Sequence, residues 1–179
     1  MAERSTLRLW GMRALYPLLA LVVLFVALLP LDLTPRHLAG PDILVALTFA
    51  WASRRPEQVP MISVAGVMLL ADFLLQRPPG LWAGLILIAT EWLKSQERRL
   101  RDSTFADEML TVAVTLLAVT LLYRAILSAL IVSPGALSLT AMQFAATLLA
   151  YPILTGILYV VFGLRRSAPG EFNPVGRST

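Results

Sequence analysis

Apolar runs close to membrane-spanning length recur along the whole chain, and they constrain it more than any motif does. The first, "ALYPLLALVVLFVALLP" from Ala14 to Pro30, carries no charge. Roughly 20 such residues cross a bilayer as a helix. Judged against that length, six spans are predicted: Ala14–Asp32, Pro41–Ser53, Gln58–Gln76, Gly80–Lys94, Glu108–Val132 and Leu139–Leu164. Composition agrees. The 179 residues are 58% hydrophobic and only 15% charged, with a mean hydropathy of +0.74, whereas a soluble domain keeps roughly a quarter of its residues charged. The expectation is an all-α, polytopic membrane protein, a single six-helix bundle over residues 1–164. The remainder, "RRSAPGEFNPVGRST" at 165–179, reads as a flexible cytoplasmic tail.

The second and fourth spans are short for a perpendicular crossing. They can extend into their flanks, thin the bilayer locally, or be sheltered by neighbours. The first run could pass for a signal peptide, but it exceeds a usual h-region and no A-x-A site follows, so a retained helix is expected.

Basic residues orient the spans. Arg4, Arg8, Arg13, Arg54, Arg55, Lys94, Arg98, Arg99, Arg101, Arg165, Arg166 and Arg177, twelve of the fifteen Lys and Arg, fall on one side. Arg36 and Arg77 fall on the other, and Arg124 lies inside a span. The positive-inside rule then gives six crossings with both termini in the cytoplasm. The pI of about 10.1 is accounted for by these topology signals, which do not gather on one hydrophilic face for nucleic acid. The four tryptophans, Trp10, Trp51, Trp82 and Trp92, lie near predicted helix ends, where interfacial anchors are expected.

Few residues suit chemistry. There is no cysteine and one histidine, His37, so thiol nucleophiles and His-clustered metal sites are excluded. No P-loop, dinucleotide fingerprint or intramembrane-protease motif occurs. No enzyme activity, metal or cofactor is expected. Asp72, in "VMLLADFLLQRPPGLW", is the strongest anomaly, since an unpaired carboxylate deep in a span costs about 2.5–3.5 kcal/mol. Arg124 and Gln143 sit at comparable depth. Either the three form one intramembrane polar cluster, or Asp72 and Arg124 snorkel separately to the headgroups. Glu91 and Lys94 are spaced for an i,i+3 pair, and Asp42 follows Pro41 where a carboxylate complements a helix dipole. Ala141 with Ala145, and Ala146 with Ala150, offer small residues four apart.

Two stretches, "PDILVALTFAWASRRPEQV" and "GVMLLADFLLQRPPGLW", carry a resemblance. A Pro-led, Leu-rich helix ends in an aromatic residue and an Arg-Pro turn. A glycine-containing helix with an Asp near its end follows, and a Gly opens the next helix. The pattern resembles the rod shape-determining protein MreD family at Pro41, Trp51, Arg55, Pro56, Val59, Gly66, Asp72 and Gly80. It departs where the family often has Gly before the Asp and Ser-Gly after it: here stand Leu69 to Ala71, then Leu75 and Gln76. The resemblance implies a non-enzymatic inner-membrane component of the bacterial cell-elongation machinery. It would work with an MreC-like membrane partner, and through it with the MreB filament and the glycosyltransferase–transpeptidase pair that builds lateral peptidoglycan. Arg54, Arg55 and Pro56 would face filament-side proteins or anionic lipids, and Asp72 with Pro78–Gly80 would hold a groove for a partner. The implied bundle resembles the substrate-binding subunits of energy-coupling-factor transporters. That supplies the alternative, a small-molecule-binding subunit, which should show a pocket of convergent polar and aromatic groups.

Overall fold

The computed structural model describes residues 2–29, 39–96 and 104–162. These form six α-helices: α1 (Ala2–Leu28), α2 (Ile43–Arg54), α3 (Met61–Leu74), α4 (Leu81–Ser95), α5 (Phe105–Ala129) and α6 (Leu137–Phe162), with a 3₁₀ turn at Pro56–Gln58. No strand occurs among the described residues. The predicted tail, Arg36, His37, Asp32 and the basic run Arg98–Arg101 lie outside them.

The helix ends follow local chemistry. Thr104 and Asp107 form a capping box that starts α5, earlier than the predicted Glu108. Pro56 and Pro60 confine the residues before Met61 to a 3₁₀ turn, so α3 is shorter than the predicted Gln58–Gln76. At the other end of α3, Arg77 N–H donates to Asp72 O and Gln76 N–H to Phe73 O, with Gln76 left-handed at φ 55°. This is a Schellman stop. The α5 terminus repeats it, Val132 N–H to Leu127 O and Ile131 N–H to Ser128 O, with Ile131 at φ 59°. Helix α1 begins at Ala2, ahead of the predicted Ala14, since no breaker stands between the polar start and the apolar run.

Helix α2, where the short second span is predicted, is enclosed by its neighbours. Every residue of α2 from Leu44 to Ser53 is buried, as expected of a helix apolar on all sides. The other five helices form an arc in the order α1, α3, α4, α5, α6, and α2 packs inside it against α1, α4 and α6. Each outer helix offers one face at helical spacing: Tyr16, Ala20 and Leu24 from α1; Val64, Met68 and Ala71 from α3; Ile86, Ala89 and Leu93 from α4; Val112, Leu116 and Val119 from α5; Tyr151 and Leu158 from α6. Ala46, Ala50 and Ala52 let those helices close on α2.

Two helices, Phe105–Ala129 and Leu137–Val161, are long and apolar enough to cross a membrane. Their outward faces, Leu110, Val114, Leu117 and Leu121 on α5 and Leu149, Ile153, Ile157 and Val160 on α6, are exposed. Apolar surface on that scale marks contact with lipid or protein. At 1.5 Å per residue α2 is only about 18 Å long, against about 37 Å for α5, so α2 cannot fill the arc from end to end.

Candidate functional site

The bundle has two ends. One carries the Arg-Pro turn after α2, the start of α3 and the end of α4; the other carries the α3–α4 and α5–α6 turns. At this second end the backbone N–H of Asp42, which caps α2, donates to Thr147 Oγ1 at 2.8 Å. Thr147 is the eleventh residue of α6, so about 15 Å of α6 rises beyond the start of α2. The space left above α2 is a cavity of about 160 Å³ between α4, α5 and α6.

Its polar lining comes from the cap of α2, the α3–α4 turn, α4, α5 and α6. Asp42 Oδ1 accepts Val45 N–H at 3.1 Å, and Asp42 Oδ2 pairs with Arg77 Nη2 at 3.4 Å. The Arg77 guanidinium carbon lies 5.2 Å from the centroid of the Trp82 ring, a cation–π contact. Trp82 meets Tyr123 of α5 edge-on, with centroids 5.0 Å apart. Arg124, the next residue, lines the cavity together with Gln143 of α6. Arg124 Nη1 donates to Pro134 O at 3.0 Å and Thr140 Oγ1 at 2.7 Å, and Nη2 donates to Gly135 O at 3.3 Å. A single guanidinium thereby ties the end of α5 to the turn that opens α6. Trp82 Nε1–H is buried without an acceptor among the described residues.

Asp72 stands apart from this group, and the expected cluster of Asp72, Arg124 and Gln143 divides. Arg124 and Gln143 share the cavity. Asp72, fully buried, directs Oδ2 to the backbone N–H groups of Gly80 and Ala83, both at 3.0 Å. No ion pair joins Asp72 to Arg124 among the described residues. The reason is local: the first N–H groups of a helix lack partners and carry its positive dipole end. The α4 N-terminus therefore satisfies one oxygen of the carboxylate from eight residues away, Oδ1 having no hydrogen-bond partner among the described residues, while loose carbonyls of the next turn satisfy the guanidinium. Gly80 makes this possible by adopting φ 83°, a conformation that costs other residues about 1–2 kcal/mol. Pro78 O accepts Leu81 N–H and closes the turn.

At the opposite end, Glu108 is 1% exposed. It accepts a 2.6 Å hydrogen bond from Tyr151 OH and lies 3.4 Å from Arg54 Nε. The node binds α2, α5 and α6 together. Arg54 is thus mostly buried instead of facing outward, whereas Arg55, partly exposed, pairs with Glu57 at 3.6 Å. Lys94 forms the expected contact with Glu91 at 2.6 Å and also donates to Val59 O at 2.6 Å. Trp51 departs from the interfacial role expected of it: fully buried, it donates from Nε1 to Gln58 Oε1 and stacks edge-on to Tyr16. Gly66 faces outward, and a Cβ there would meet nothing within 4 Å.

The sequence reading missed Asp42 and Arg77 as partners, and Glu108 and Tyr151 altogether. A signal existed for the first pair, since opposite charges beside Pro41 and Pro78 lie in turns assigned to the same end. Among the described residues no cluster of His, Cys, Asp and Glu could hold a metal ion. Comparison with models of protein families, with curated proteins and with solved structures finds no match to this chain.

Proposed function

We propose that the chain is a non-enzymatic, six-span membrane adaptor of lateral cell-wall synthesis, of the MreD type, with both termini cytoplasmic. The observation that carries this reading is the use made of the family-like run from Pro41 to Gly80. Asp42 caps the helix that Pro41 introduces, and Trp51 bonds across the Arg-Pro turn that Pro56 begins. Asp72 and Gly80 together build the α3–α4 hairpin. Residues of the family-like run thus each serve a local structural task, a cap, a turn and a hairpin, which supports the resemblance beyond the match of letters. The charge asymmetry supports the six-span topology. Gly66, with nothing against it, offers the outer face of α3 for close approach of a partner helix.

Depletion in the native host should turn elongated cells round while septation continues, and an MreC-like chain should co-purify in mild detergent. Gly66→Leu should weaken that co-purification at least fivefold without lowering the thermal midpoint. Normal shape after depletion overturns the adaptor reading. The cavity favours a second reading, a small-molecule-binding subunit of an energy-coupling-factor type transporter. Co-purification of an ATPase module would select that one.

A further inference from the structure

We propose that the cavity above α2 binds a phosphate-bearing group, presented as the headgroup of a phospholipid. The inference goes beyond the adaptor reading and takes from it only the membrane setting. It rests on the balance of donors and acceptors in the cavity wall. The charged acceptor is already occupied, Asp42 Oδ1 by Val45 N–H and Asp42 Oδ2 by Arg77, and Thr147 Oγ1 accepts Asp42 N–H, which leaves neutral acceptors alone, Gln143 Oε1 and the hydroxyls of Thr120 and Tyr123. Donors are left over. Trp82, in the wall, keeps its Nε1–H buried without an acceptor among the described residues, so a ligand reaches it only if the indole turns toward the cavity, and an unmet buried donor costs about 1–3 kcal/mol. A guanidinium has five N–H groups, and Arg77 spends one of its own on Asp42 while Arg124 Nε takes no part in holding the turn. The side-chain amide of Gln143 adds two more donors beside its acceptor oxygen, and can turn either end to a ligand.

Charge points the same way. Two guanidiniums face one carboxylate, so the wall is cationic by one unit. The donors approach from different elements: Arg77 from the α3–α4 turn, Trp82 from α4, Arg124 from α5 and Gln143 from α6. A planar carboxylate meets donors in one plane, whereas a tetrahedral phosphate accepts from several directions, and arginine forks suit it. Space is sufficient. At about 30 Å³ per water the cavity holds about five water molecules, room for a phosphate with a short organic stem. Leu116 and Phe144 supply apolar wall beside the donors. Tyr123 and Arg124 lie five to six residues from the end of α5, within about 9 Å of it. That depth, with Trp82 and Tyr123 in the wall, is where headgroups meet acyl chains.

The test uses the full chain in detergent, with retained lipid read by native mass spectrometry. Phosphatidylglycerol and phosphatidylethanolamine should each be retained at least tenfold over diacylglycerol of the same acyl chains. Gln143→Leu and Trp82→Phe should each cut that preference at least fivefold. Thermal midpoints in lipid-free detergent check that the variants fold, and Gln143, on a half-exposed face, keeps the test open should Trp82→Phe misfold. A shift of the midpoint by glycerol 3-phosphate or inorganic phosphate, lost in the variants and without lipid preference, would assign the site to a soluble phosphate compound and overturn the lipid source. No preference and no shift overturns the phosphate site itself. So does a larger shift from succinate than from phosphate, or a preference unchanged in both variants. None of these outcomes depends on whether an MreC-like chain co-purifies.

Discussion

Asp72 Oδ2 and the backbone nitrogen of Ala83 lie 3.0 Å apart, so a carboxylate in α3 caps a helix that begins nine residues later. An aspartate inside an apolar run thereby acts as a helix cap supplied from outside the helix. Asp72→Ala removes the acceptor from two N–H groups, at about 1–3 kcal/mol for each one left buried and unmet. Its thermal midpoint in detergent should fall well below that of Asp72→Asn, which keeps an acceptor. Exchanging Asp72 and Arg124 should rescue nothing, because each bonds to its own turn. Recovery in the exchange would reinstate a direct pair.

Ile131 occupies the left-handed position of the Schellman stop after α5 and is 95% exposed. A β-branched residue there gives up about 1–2 kcal/mol relative to glycine and buries nothing in return. Ile131→Gly should therefore raise the stability of the solubilised protein by about 1 kcal/mol. A lowered midpoint would mean that the Ile131 side chain is covered in the membrane.

The Glu108 node should behave as a buried charge network. Glu108→Ala strands Arg54 and should cost about 3–5 kcal/mol, enough to reduce folded yield. Glu108→Gln keeps an acceptor for Tyr151 and should cost less. Arg54→Met combined with Glu108→Leu removes both charges, and a double-mutant cycle should show partial recovery. Strict additivity would refute the coupling.

Topology can be read directly, because the chain has no native cysteine. Ser133→Cys and Ser95→Cys sit at opposite ends of the bundle, both exposed. In intact cells an impermeant thiol reagent should label the first alone, and the second only after the inner face is opened. The reverse pattern overturns the orientation drawn from Lys and Arg.

The sequence by itself determined the helices. Apolar runs, prolines and capping residues act within a few positions, which is why Glu91 with Lys94 and the Asp42 cap were legible. So was the tightness of the Pro78–Gly80 turn. Partnership across the bundle was not legible, because equal depth along two helices leaves their rotation and neighbours undefined. Asp72 and Arg124 matched in depth and yet each found closer partners in a helix start or a turn. Trp51 and Arg54 sat near a helix end, as interfacial residues do, but α2 lies inside the arc and both are drawn inward. The cavity too belongs to the tertiary structure alone. It exists because a helix of 12 residues lies beside α5 and α6, each about twice as long, and the volume it leaves is lined by whichever side chains the packing turns toward it.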